Sequence, residues 1–200
     1  AIETLKPISL SNPENIQARE ILAEVFYQRG NFDHSIAEYR RILERNSDYL
    51  PAYVQLGWIY YRKGEFQMAT AWTKRGLKLG TRSPQLDSLS SMNLGLYSWL
   101  SDDYLAAKNW YRKALVGGSE IVLDGILKDL KNTSLLFPSH IEVDFFSGWV
   151  YMEAGEKKMA LPHLTKFLTL ATENELSSEA RVMLGQKLPP TDNSSNATNK

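Results

Sequence analysis

The stretch "AYVQLGWIYYRKGEF", residues 52–66, decides how the chain is read. It has the apolar content of a strong helix, yet Gly57 sits in its middle with Trp58, Tyr60 and Tyr61 close behind. Glycine inside a helix costs roughly 1 kcal/mol relative to alanine. Either the stretch is not helical, or another backbone comes so close at Gly57 that no side chain fits. Outward from there, the pattern recurs as "LAEVFYQRGNF" at 22–32, "LGLYSWLSDDY" at 94–104 and "SGWVYMEAGEK" at 147–157. Each copy has a small residue (Ala23, Gly57, Gly95, Gly148), an apolar-rich turn, then a breaker (Gly30, Gly64, Asp102, Gly155). A second helical run follows, with a small residue near its start: Ser35, Ala69, Ala107 and Ala160. Four residues on comes a larger side chain, Tyr39, Tyr111 and Leu164, with Thr73 the exception.

Spacing turns these copies into an architecture. Ala23 and Gly57 are 34 residues apart, Gly57 and Gly95 are 38 apart, and Gly148 lies 53 further on. The segment "TRSPQ" at 81–85 is where the extra residues of the second interval go, and the third interval holds one repeat plus about one more helix. A period of 34 with the Leu-Gly pairs Leu56-Gly57 and Leu94-Gly95, the tyrosines Tyr39 and Tyr60, the turn "KGEF" and "AAKNWYRKAL" at 106–115 resembles the tetratricopeptide repeat family, over about residues 13–172. Ala23 in place of glycine and Lys157 in place of a turn aromatic depart from that pattern.

The resemblance implies an all-α fold: a right-handed superhelical α-solenoid of antiparallel helix pairs, with one inserted helix and a C-terminal capping helix. Gly57 is then explained by close helix–helix contact. Gly64 suits a left-handed helix C-cap, Phe66 anchors the next helix, and Tyr60 is expected to be buried with Leu56, unlike Trp58 and Tyr61. The segments expected are a lead-in (1–15), repeats at 16–49, 50–87, 88–118 and 141–172, an inserted helix and crossover at 119–140, a cap at 173–188 and a disordered tail at 189–200. "NPEN" at 12–15 reads as a helix start, with Asn12 as cap and Pro13 in the first turn.

In this architecture the concave surface is lined mainly by the first helix of each pair. Helical periodicity places Glu20, Glu24 and Tyr27 there in the first copy, and Val54, Trp58 and Tyr61 in the second. The third copy contributes Met92, Leu96 and Trp99, and the fourth Phe145, Trp149 and Met152. The groove is thus acidic at its N-terminal end and then aromatic, aliphatic and Met-containing. Such a patch marks a partner site, and the expected job is a non-catalytic scaffold or adaptor holding an apolar or amphipathic peptide. Three readings compete: a secretion or assembly chaperone, a docking part of a larger enzyme, and self-association through the same face. Alternatively the chain's own extra helices, "SEIVLDGILKDLKN" at 119–132 and "ENELSSEARVMLGQKL" at 173–188, fill the groove.

Composition and motifs exclude other classes. The 23 basic and 23 acidic residues cancel, so no global field favours nucleic acid. The basic residues of "YRRILER" and "WTKRGLK" read as solvated helix faces. No apolar run reaches the roughly 18 residues of a membrane span. The absence of cysteine fits the cytoplasm or a bacterial periplasm. The chain begins at Ala1, which reads as processed or excised from something longer. His34, His140 and His163 have no neighbour at metal-ligand spacing, and no phosphate loop, dinucleotide fingerprint or nucleophile elbow occurs, so neither cofactor nor metal is expected. The sequons at Asn132, Asn193 and Asn196 read as polar loop and tail. Some tetratricopeptide proteins clamp a partner's C-terminal carboxylate with Lys, Arg and Asn on the inner face. In this chain Glu20 and Glu24 would repel it.

Overall fold

The computed structural model describes residues 15–80, 84–116 and 119–188. These residues form ten helices and no strand. In chain order they are α1 (Ile16–Gln28), α2 (Phe32–Arg45), α3 (Leu50–Arg62), α4 (Phe66–Lys78), α5 (Pro84–Trp99), α6 (Tyr104–Leu115), α7 (Glu120–Leu136), α8 (Glu142–Glu153), α9 (Lys157–Leu170) and α10 (Glu175–Met183). The expected cap at Asn12 and Pro13, the tail and its sequons at Asn193 and Asn196 lie outside the described residues.

Consecutive helices pair as antiparallel hairpins, α1 with α2, α3 with α4, α5 with α6 and α8 with α9. We call the first helix of each pair A and the second B. All four hairpins turn in the same way. In the second pair the Gly64 N–H bonds the Tyr61 carbonyl and the Glu65 N–H bonds the Tyr60 carbonyl, each at 2.9 Å. This double bond closes helix A when the residue after its cap is left-handed, and Gly64 has φ 76°. The third pair makes the same two bonds, Asp102 to Trp99 and Asp103 to Ser98, with a non-glycine, Asp102, at φ 60°. Helix B then starts at once, and Asp103 accepts the Ala106 N–H at 3.0 Å.

Within each hairpin the small residues are places of contact. A Cβ added to Gly57 would lie 2.2 Å from Thr73 Oγ1 and 3.2 Å from the Ala69 carbonyl oxygen on α4. The same addition at Gly95 meets Tyr111 at 2.6 Å, and at Gly148 meets Leu164 at 2.6 Å. Each glycine therefore faces the B-helix residue at the same repeat position, Thr73, Tyr111 or Leu164. Leu56, Ala69, Leu94, Ala107 and Ala160 are fully buried around these contacts.

The chain divides into two compact units between Ile126 and Leu127, inside α7. In the first unit α2 packs on α3, α4 on α5, and α3 on α5, so the A helices form one row and the B helices another. The start of α7 lies on this row: a Cβ at Gly125 would stand 2.6 Å from Met92 Cε. In the second unit α10 packs on α8 and α9 through buried Leu176 and Ala180. A capping box between Asn174 and Ser177, with both bonds at 2.8 Å, starts α10. Helix α7 runs to Leu136, one turn beyond the segment expected to be helical, and stops before Pro138. Its buried stripe is Ile126, Leu130 and Thr133, while Ile121 is 84% exposed.

Candidate functional site

The A helices α1 and α3 build an accessible corner of aromatic and charged groups. The Trp58 indole N–H donates to the Tyr27 hydroxyl at 2.9 Å. Arg62 donates to the same oxygen at 3.4 Å, with its guanidinium 5.9 Å from the centre of the Tyr27 ring. Trp58 packs on Tyr61 at 4.8 Å between ring centres. Tyr61 is itself stacked on Tyr97 of α5 at 5.6 Å and lies 6.4 Å from Phe66. Tyr27 and Trp58 are half-buried over this floor, and Arg62 is exposed.

Toward the start of α1 the corner becomes acidic. Glu20 and Glu24 are half-buried on the same helix face, and the Gln28 amide donates to Glu24. The Tyr49 hydroxyl bonds Glu20; burial first and then this bond push the Tyr49 phenol up to about 12. Tyr39 beneath them is raised well above the ordinary phenol, by burial and then by the Glu24 and Glu20 charges. Burial is the larger cause at both phenols, and the Glu20 and Glu24 carboxylates add to it. Helix α1 is fixed against α2 by a buried ion pair, Arg19 to Glu38 at 2.9 Å, with Arg41 on the other Glu38 oxygen.

Of the residues expected to line an open groove, Glu24, Tyr27, Trp58 and Met152 are partly accessible. Val54, Tyr61, Met92, Leu96, Trp99, Phe145 and Trp149 are buried, which corrects the expectation of a solvent-facing row at those positions. The reasons are local. Tyr61 is covered by its ring neighbours. Residues 90–100 of α5 and the turn after it are buried throughout, because α3, α4 and α6 flank the helix and α7 covers Met92. Phe145 packs edge-on to Phe146 at 5.3 Å and on Phe167 of α9 at 5.4 Å, so it belongs to the core of the second unit. Sequence reasoning missed Tyr49, whose bond to Glu20 joins residues 29 positions apart and leaves no local signal.

The site offers contact surface and charge. Among the described residues no group of three His, Asp or Glu side chains could hold a metal ion. His163 lies 3.4 Å from Asp144, whose other oxygen takes Lys166 at 2.7 Å, and His140 lies 3.9 Å from Glu142. These are contacts of single imidazoles with single carboxylates. No helix of the described residues is long and apolar enough to cross a membrane.

Stacked antiparallel helix pairs with an accessible face on the A row define an α-solenoid repeat protein, a class whose members are generally non-catalytic scaffolds for protein–protein interaction. Residues 1–51 and 22–86 match the family model described as Tetratricopeptide repeat. Residues 1–86, which hold the first two helix pairs, are thus similar to tetratricopeptide repeats. "Tetratricopeptide repeat protein 8" of Caenorhabditis elegans is 29% identical over 113 residues, covering 50% of this chain. The chain spans only 22% of that relative's length. Among solved structures, pilF of Pseudomonas aeruginosa superposes with a TM-score of 0.55 at 18% identity, covering 90% of this chain and 74% of that one. YrrB, described as "a TPR protein with an unusual peptide-binding site", gives 0.52 at 18% identity, covering 91% of this chain and all (100%) of that one. At these identities the likeness establishes the fold.

Proposed function

We propose that this chain is a non-catalytic scaffold whose α1–α3 face holds an amphipathic segment of a partner protein. The observation that carries the reading is the Trp58–Tyr27–Arg62 corner beside Glu20 and Glu24. Tyr27 and Trp58 provide broad, stiff rings with polar edges, the residue types that dominate binding at protein interfaces. The two carboxylates select a segment that carries Lys or Arg on its polar side and disfavour an acidic one. The buried Tyr61 and Val54 support these groups from below without reaching the partner.

A synthetic peptide of alternating leucine and lysine tests this, with binding read from tryptophan fluorescence. Trp58→Ala should weaken it by about 2 kcal/mol, roughly thirtyfold. Glu20→Gln with Glu24→Gln should weaken it further and flatten its salt dependence. Equal affinity for all three proteins would retire the reading.

A further inference from the structure

The B helices of the first unit carry a second pattern with the repeat's own period. Glu38, Trp72 and Trp110 occupy one register position; Arg41, Arg75 and Lys113 follow three residues later in each copy. In the first copy the result is the Arg41–Glu38 ion pair. In the next two it is a cation over an indole: Arg75 lies 5.8 Å from the Trp72 ring centre and Lys113 lies 5.2 Å from that of Trp110. A second cation reaches each indole from the preceding repeat. Arg40 on α2 lies 5.6 Å from Trp72, and Lys74 on α4 lies 6.0 Å from Trp110. The sequence thus lays a ladder of alternating cations and indoles across α2, α4 and α6.

Outside the Arg41–Glu38 pair, charge on this ladder is not neutralised. Helices α4 and α6 contain no Asp or Glu at all. None of Arg40, Lys74, Arg75 and Lys113 is joined to a carboxylate among the described ion pairs, and all four are exposed. A cation resting on a ring keeps its charge turned to solvent and loses little freedom on meeting an anion. Between Arg40 and Arg75 lies a cavity of about 290 Å³, lined also by Ser47, Tyr53 and Trp72, with Glu44 its one carboxylate. Its volume suits single side chains, and the two guanidinium groups are its donors, since the Tyr53 hydroxyl already donates to the Ser47 carbonyl at 2.9 Å.

We infer that the B-helix face of α2, α4 and α6 is a second docking surface, specific for an acidic segment of a partner protein. Two cations crowd each indole, so the rings are not free platforms for nucleic-acid bases. The chain's net charge of zero provides no long-range field for an extended nucleic-acid backbone, whereas a short acidic segment needs only the local cations. The surface is opposite in sign to the Glu20–Glu24 corner, so the inference stands apart from the reading proposed above.

A short polyglutamate peptide is the probe, titrated by calorimetry against the full chain. Replacing Arg40, Lys74, Arg75 and Lys113 together by Gln should weaken binding about tenfold or more. A second protein carrying only Arg40→Lys and Arg75→Lys keeps the charge and loses the planar fork, so it should bind more weakly than the parent and more tightly than the Gln protein. Trp58→Ala and Glu20→Gln should leave the titration unchanged, which separates this surface from the A-helix corner. Undiminished binding to the Gln protein, with an unaltered circular dichroism spectrum, would overturn the inference. So would tighter binding of mixed-sequence single-stranded DNA or of phosphatidylserine vesicles than of the peptide.

Discussion

Gly57 and Thr73 are a matched pair. The hydroxyl of Thr73 occupies the space an alanine methyl at 57 would need, and it is buried without a hydrogen-bond partner of its own. Gly57→Ala gains helix propensity but collides, so it should destabilise by about 1–3 kcal/mol. Thr73→Ala in that background removes the nearest obstacle and should restore part of the loss. A double-mutant cycle by urea denaturation measures the coupling; additive effects would show that the glycine is kept for another reason. Asp129 on α7 gives a second residue-scale test. Burial raises its carboxyl from 3.8 to about 6, against a smaller lowering by Lys128. Between those values the folded chain holds the proton more tightly than the unfolded chain, so this group's contribution to stability is full below about 3.8, falls as pH rises, and levels off above about 6. Asp129→Asn abolishes that slope and should stabilise the protein at neutral pH by up to about 3 kcal/mol. Thermal melts of both proteins across the range check the sign, and parallel curves would refute it.

At the level of elements, the four A-to-B turns share one hydrogen-bond scheme, and only the third uses an L-residue in the left-handed region. Asp102 offsets part of that conformational cost by accepting the Tyr104 hydroxyl at 3.2 Å. Asp102→Gly should therefore stabilise by less than about 1 kcal/mol, while Gly64→Ala, with no such compensation, should cost about that much. Chemical denaturation resolves both, and a destabilising Asp102→Gly would mean the Tyr104 contact dominates. These turns are legible in the sequence because a breaker and a small residue recur at fixed offsets. Gly57, Gly95 and Gly148 are legible for the same reason, since a helical glycine at a repeating position needs a close neighbour. The candidate site is legible only in part. Periodicity places Tyr27 and Trp58 on one face, but it assigns a face without saying what covers it. Tyr61, Leu96 and Trp99 share the register of Tyr27 and Trp58 and are buried all the same: the rings of Trp58, Phe66 and Tyr97 cover Tyr61, and α3, α4 and α6 surround α5. The Arg19–Glu38 pair and the Tyr49–Glu20 bond leave no trace in the pattern, as they join residues far apart in the chain with no shared period. The cation–indole ladder shows in the sequence only as basic runs, which read as solvated surface; the ring contacts reveal that the cations are held in place.

At the scale of the molecule, solenoids pass stability from neighbour to neighbour, so an end helix shields the apolar flank of the last pair. Helix α10 has that position in the second unit: Leu176 is 3% exposed and Ala180 is fully buried against α8 and α9. Leu176→Asp puts a carboxylate into that contact and removes a buried side chain, which should cost about 3 kcal/mol or more. Because each unit has its own core, the loss should be uneven. Hydrogen exchange should show α8, α9 and α10 losing protection while α1 to α4 keep theirs, since local opening follows local packing. The affinity of the Leu-Lys peptide for the Trp58 corner should then be unchanged, whereas light scattering should rise as the uncovered flank of α9 seeks another apolar surface. Equal loss of protection in α1 to α4 would mean that the two units unfold as one cooperative body, and that the division inside α7 is one of contact without being one of energy.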